Sequence, residues 1–187
     1  MTLAALDRFV EQLFEIMKRF TRALSEAGVD YRLIGGMAAF LHVNERNPIA
    51  ARFTSDIDTA VRRSDLDAIV RAVEPFGFVY RHAAGVDMLL DSVNPSTRSG
   101  VHLIFIGEKV RAADLEPVPD FSEGAQTIEG ALVAPVADLV RMKLTSFRLK
   151  DKVHIQDLDG VGLITPEIEA QLPDLLRHRL AEVRASD

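Results

Sequence analysis

Leu33-Ile34-Gly35-Gly36-Met37-Ala38-Ala39, followed about twenty residues later by Thr54-Ser55-Asp56-Ile57-Asp58, decides how this chain is read. Tyr31–Ile34 is a short apolar run that stops at two glycines, and Met37–Leu41 then begins a helix. The order is strand, glycine turn, helix. Ile57, Thr59 and Val61 alternate with Asp56, Asp58 and Ala60, the pattern of a strand with one polar face. Each half alone is weak, because a glycine pair is usually a tight turn and an Asp-x-Asp is usually a solvated strand end. Together, in this order, they make one site.

Residues i and i+2 of a strand point the same way, so Asp56 and Asp58 present their carboxylates in one direction. Neighbouring anions repel unless positive charge lies between them. A hard divalent cation that prefers oxygen ligands, Mg²⁺ or else Mn²⁺, relieves that repulsion. Gly35 and Gly36 leave the main chain bare at a helix N-terminus, where free N–H groups and the helix dipole attract phosphate. A phosphate cradle beside a metal holder is what phosphoryl or nucleotidyl transfer needs. No Gly-Lys-Ser/Thr follows, and Gly-x-Gly-x-x-Gly is absent, so neither a Walker loop nor a dinucleotide fingerprint is present.

Outward from this stretch the chain reads as alternating helices and strands. Leu6, Phe9, Val10, Leu13, Phe14 and Met17 form one apolar stripe, which predicts a helix ending near residues 25–28. Ser64 and Asp67 predict a capped helix carrying Leu66, Ile69, Val70 and Val73. Strands are predicted at Phe78–Tyr80, Val86–Leu90 and Val101–Ile106, and residues 111–127 read as a loop. A helix is expected over roughly Val136–Leu149. A break near Lys150 and short helices follow, one starting at Thr165-Pro166. The fold class is therefore α/β (or α+β), a mixed sheet flanked by helices, with a core over 1–133 and a helical part over 134–187.

The 187 residues suit one domain with a small extension, and 48% hydrophobic content supports a real core. Cysteine is absent, so any metal must use oxygen or imidazole ligands. A net charge of −6 argues against broad nonspecific nucleic-acid binding. No apolar run reaches the roughly 18–20 residues of a membrane span, and Asp7, Arg8 and Glu11 interrupt any signal-peptide pattern. A soluble cytoplasmic protein without membrane contact is expected.

The apolar strand, Gly-Gly, helix, then Arg52-x-Thr54-x-Asp56-Ile57-Asp58 resembles the nucleotidyltransferase superfamily related to DNA polymerase β. The likeness is greatest to its small bacterial branch, which includes antibiotic nucleotidyltransferases and the toxin partners of abortive-infection systems. Val133-Ala134-Pro135, Asp138-Leu139, Lys143, Arg148-x-Lys150-Asp151 and Asp157-Leu158 extend it over roughly residues 30–160. The resemblance implies that Gly35 and Gly36 contact a nucleoside triphosphate (NTP), that Asp56 and Asp58 bind Mg²⁺, and that Lys143 reaches the phosphates. It also implies transfer of a nucleoside monophosphate (NMP) to a hydroxyl of an acceptor such as tRNA, a small molecule or a protein. Such enzymes usually carry a third carboxylate on a later core strand, where His102 stands here. Three readings stay open: His102 acts as a general base, Asp87 or Asp91 supplies the missing oxygen, or the site is degenerate. A degenerate member would be a nucleotide-binding or partner-binding module, with an antitoxin-like protein as the kind of partner.

Other residues carry two readings each. Lys143 on its apolar helix is a snorkelling surface lysine or a phosphate contact. Arg148, Lys150 and Lys152 are a solvated face or a guide for a phosphate-rich acceptor. Asp151, His154 and Asp157 share a helix face, for caps and ion pairs or for a metal. His42 packs at its helix end or joins the site. Arg46 and Arg52, read as loop residues before Asp56, are placed to neutralise phosphate, and Thr54 either begins the strand or hydrogen-bonds beside the glycine turn.

Overall fold

The computed structural model describes residues 3–96, 99–120 and 125–186, with side chains from residue 7 onward. Leu6, which opens the predicted stripe, therefore has its side chain outside the described residues, as do residues 121–124 of the predicted loop. The elements run α1 (Leu3–Glu26), β1 (Arg32–Ile34), α2 (Gly35–Arg46), β2 (Ile57–Val61), α3 (Leu66–Val73), β3 (Phe78–Ala83), β4 (Val86–Asp91) and β5 (Val101–Phe105). They continue with β6 (Gln126–Ile128), β7 (Ala131–Val133), α4 (Val136–Ser146), α5 (Leu149–Gly160), α6 (Pro166–Gln171) and α7 (Asp174–Ala185).

Among the described residues, seven strands form one mixed sheet in the order β3-β4-β5-β2-β1-β7-β6. β2 runs antiparallel to β1 but parallel to β5, and β1 runs parallel to β7. The sheet's register does the positioning. Asp58 lies opposite Ile34 on β1 and His102 on β5, and His102 lies opposite Met88 on β4. On β5 the alternate residues Val101, Leu103 and Phe105 are buried in the main core while His102 and Ile104 are half-buried.

The main core joins Leu13, Ile16, Met17 and Phe20 of α1 to Leu33, Ile57, Val61 and Leu103 of the sheet. Burying side chains of this size stabilises the fold by about 1.5–3 kcal/mol each. A second apolar cluster gathers Val43 of α2 with Val140, Leu144, Ile155, Leu158, Leu176 and Leu180 of the C-terminal helices. It fixes α4 and α5 against α2, the helix that begins where β1 ends. No helix among the described residues is long and apolar enough to cross a membrane.

Several local expectations are corrected. The glycines do not form a turn before the helix: Gly35, at φ +69°, is already the first residue of α2. Arg46 closes that helix and is not in the following loop. The β2 strand has no open polar face, because Ala60 is 3% exposed and only Asp58 of the strand is half-buried. Ser64 does not cap α3, and its hydroxyl donates instead to Asp65. The helix from Val136 ends at Ser146, since Phe147 takes a left-handed conformation at φ +49°, and Lys150 lies inside α5. The β6–β7 hairpin was hidden by its short strands, three residues each.

Candidate active site

Asp56 and Asp58 reach the site from the start of β2, Asp56 from the residue just before the strand. With His102 of β5 they offer ligand atoms that all lie within 4.8 Å of one another. The parallel pairing of Asp58 with His102 sets this, because residues opposite each other in a sheet point to the same face. His102 Nδ1 is 3.1 Å from Asp58 Oδ1. That hydrogen bond, opposed by burial and assisted by the charges of Asp58 and Asp56, holds the imidazole pKa above its ordinary value.

Gly35 lies with its main chain directly against the Asp58 carboxylate, and Gly36 lies beside Thr54 and His154. Asp56 accepts a hydrogen bond of 2.5 Å from Ser55 Oγ, and its other oxygen is 3.7 Å from Lys150 Nζ. Each carboxylate of the pair thus faces a nitrogen: Asp56 that of Lys150, Asp58 that of His102.

Two hollows open on this cluster. The larger, about 410 Å³, is walled by apolar side chains such as Met88, Ile104, Val110 and Met142, with Asp114 and Glu116 on its lining. The smaller, about 310 Å³, is lined by Gly36, Thr54, Ser55 and His154. Asp56, Asp58, Lys143, Arg148 and Lys150 line both.

Lys143 is not a snorkelling surface residue. Its side chain is 5% exposed, and its amine is 3.3 Å from the buried Asp151. Burial pushes its pKa down, against the pull of Asp151. Arg148 donates to both Asp151 oxygens, at 2.6 and 3.2 Å, and Ser146 Oγ donates at 2.7 Å. Burial alone would raise the Asp151 carboxyl, but the Arg148 hydrogen bond and the Lys143 charge outweigh it and hold the pKa at about 2. His154 is pushed down to about 4 by burial and by the Lys143 charge, so it is neutral at pH 7.

Other sequence candidates fall away from the cluster. Arg52 pairs with Asp157 at 2.9 Å and lines neither hollow. Asp151 and Asp157 are engaged by these cations, and among the described residues the cluster fit for a metal is Asp56, Asp58 and His102 instead. His42 is a packed histidine, its Nε2 2.8 Å from the Ala134 carbonyl. Asp87 does not supply the missing carboxylate: it pairs across β5 with Leu103, one residue out of phase with His102, and bonds Tyr80 and His82. Asp91 is held by Arg19 and by the backbone N–H groups of Val93 and Asn94. The sequence reading missed Asp114 and Glu116 in the larger hollow, because a loop without periodicity shows nothing of which side chains turn inward.

Comparison with known proteins agrees with this architecture. The chain is similar to the antibiotic-resistance factor ANT(2'')-Ia in a solution structure, at 14% identity over 95% of this chain and 84% of that one, with a TM-score of 0.50. A crystal structure of ANT(2'')-Ia in complex with adenylyl-2''-tobramycin gives 13% identity, 94% and 98% coverage, and a TM-score of 0.51. An antigenic nucleotidyltransferase-like protein from Paracoccidioides brasiliensis gives 14% identity, 94% and 88% coverage, and a TM-score of 0.59. What is shared at such identities is the fold, and it is the nucleotidyltransferase fold. No family model and no curated protein matches the sequence.

Proposed function

We propose that this chain transfers an NMP from an NTP to a hydroxyl of an acceptor, at the cluster between the two hollows. One observation carries the reading: two carboxylates from the tip of β2 converge with His102 against the bare main chain of Gly35. Fold likeness adds that other chains of this architecture include nucleotidyltransferase-like proteins, one of them crystallised with an adenylylated aminoglycoside.

The donor set fits a divalent cation, since two carboxylate oxygens and one imidazole nitrogen converge. Asp56 and Asp58 would hold it. Bound there, it would supply Lewis acidity and neutralisation of phosphate charge. Lys143, Arg148 and Lys150 bring three cationic side chains to the smaller hollow, where a triphosphate needs charge-assisted donors. Gly36 presents the start of α2, and the Thr54 hydroxyl lies beside it, so main-chain and side-chain donors face the same space. The larger hollow, with apolar walls and a volume in the range of small-molecule sites, suits a hydroxyl-bearing small molecule.

In the transfer, the acceptor oxygen bonds to the α-phosphorus while the bond to the bridging oxygen of the β-phosphate breaks. Pyrophosphate leaves. The acceptor's proton has three bases at hand in the cluster: Asp56, Asp58 and the His102 imidazole.

The test is incubation of the purified protein with labelled NTPs, Mg²⁺ or Mn²⁺, and acceptors that include aminoglycosides, tRNA and protein. Label transfer that needs the metal and disappears in the Asp56→Ala, Asp58→Ala double variant is the expected result. Undiminished transfer in that variant removes the assigned roles. A second reading, a nucleotide-binding module without turnover, is favoured by the Lys150 ammonium that already faces Asp56 and the His102 ring that already faces Asp58. Calorimetry with an NTP separates the two, since tight binding without transfer to any acceptor belongs to the module.

A further inference from the structure

We propose that the cation centre is a mixed one, two carboxylates and one imidazole, and that His102 makes it select Mn²⁺ or another imidazole-accepting ion over Mg²⁺. The inference rests on reading Asp56 and Asp58 as a cation centre, and it specifies the class of ion.

His102 is held at the third ligand position by the sheet itself. It stands between Asp58 on β2 and Met88 on β4, at register positions that the main-chain ladder fixes. Its side chain is 22% exposed and lines the larger hollow, so the ring is reachable yet confined. No neighbouring acid takes its place. Asp87 and Asp91 are turned to other partners, and Asp151 is enclosed by Lys143, Arg148 and Ser146. Of the acids on the larger hollow, Glu116 is engaged by Arg141 and Asp114 accepts the N–H of Arg111. Among the described residues, the three donors that converge are therefore Asp56, Asp58 and His102.

The chemistry of that set is unequal toward different ions. Mg²⁺ is small, demands near-octahedral oxygen ligation and dehydrates reluctantly. Imidazole nitrogen suits the transition-metal ions better, and their affinity for nitrogen-containing sites rises from Mn²⁺ toward Cu²⁺. Replacing a carboxylate by a neutral ring also removes one negative charge, which costs most for a hard ion held mainly by charge. The cost of displacing Lys150 from Asp56 is common to all divalent ions and does not discriminate among them.

The test is titration of the chelator-stripped protein with Mn²⁺ alone, followed by electron paramagnetic resonance, with Mg²⁺ as competitor and pulsed detection of nitrogen coupling. The wild type is expected to bind Mn²⁺ with coupling to one imidazole nitrogen. His102→Asp is expected to lose that coupling and to shift the Mn²⁺-over-Mg²⁺ ratio toward Mg²⁺ by roughly tenfold or more. His102→Asn, neutral and close in size, gives the same nitrogen readout should the aspartate variant not fold. Bound Mn²⁺ without nitrogen coupling, or an unchanged ion ratio in His102→Asp, overturns the inference and leaves a centre of two carboxylates. Failure of any divalent ion to bind, in wild type and variants alike, removes the cation centre itself along with it.

Discussion

The Oδ2 atom of Asp58 lies 2.2 Å from the place where a Cβ on residue 35 would stand. The carboxylate at the tip of β2 and the first residue of α2 therefore occupy a space that admits no side chain between them. Gly35 also has φ +69°, a conformation that L side chains rarely adopt.

Gly35→Ala is accordingly expected to act twice. The left-handed conformation costs roughly 1–2 kcal/mol of stability, and the new methyl group drives Asp58 out of register with His102. Urea denaturation measures the first effect, and divalent-ion binding measures the second. A Gly35→Ala protein that binds the ion as wild type would show that Asp58 is not confined by α2.

This double constraint was legible in the sequence only in part. Gly35-Gly36 and Asp56-x-Asp58 announce themselves because strand, glycine and alternating acid are local patterns. That Gly35 belongs to the helix, and that its missing Cβ makes room for Asp58, depends on contact across 23 residues and leaves no periodic trace. The same holds at the third position. A later strand with His102 was readable, but whether Asp87 could replace it turned on the β4–β5 register, which pairs Met88 with His102 and so sends Asp87 to the other face. Arg52 shows the limit from the other side: its place before Asp56 suggested a phosphate contact, while its partner is Asp157, on a helix more than 100 positions later in the chain. The β6–β7 hairpin escaped because three-residue strands are too short for alternation to register.

Lys150 separates binding from folding. Its side chain is 53% exposed and its ion pair to Asp56, at 3.7 Å, is long, so little stability depends on it. Lys150→Ala is expected to leave the urea midpoint nearly unchanged, within about 0.5 kcal/mol. It is expected to raise the NTP KM about tenfold, the worth of one charge-assisted hydrogen bond. Steady-state kinetics at saturating acceptor reads this, and an unchanged KM places the triphosphate elsewhere.

The buried pair of Lys143 and Asp151 predicts an asymmetry. Lys143→Met keeps the aliphatic stem and leaves Asp151 with Arg148 and Ser146, so the cost is about 2 kcal/mol. Asp151→Asn strips the charge from a carboxylate that serves Lys143, Arg148, Ser146 and the Arg148 backbone N–H together. Leaving the Lys143 ammonium buried and uncompensated costs about 3–5 kcal/mol. Equilibrium unfolding of both variants orders them, and a Lys143→Met protein less stable than Asp151→Asn contradicts the arrangement.

His154 gives the chain a pH dependence of stability with a defined sign. Its pKa falls from 6.5 to about 4 on folding, because burial and the charges of Lys143 and Lys150 disfavour the imidazolium more than Asp151 and Asp56 favour it. Between those two values the unfolded chain binds a proton that the folded chain refuses, so stability declines as pH falls through that window. Above 6.5 both states are neutral at this position and the contribution is fully present. In His154→Gln the ring is gone and this part of the slope goes with it, while His42, also depressed by burial, titrates alike in both proteins and cancels in the difference. The stability advantage of wild type over the variant is therefore expected to shrink steadily from neutral pH down to about 4, as read from urea midpoints across that range. An advantage that stays constant would mean that the folded protein protonates His154 as readily as the unfolded chain does, and that the Lys143 and Lys150 charges do not reach it.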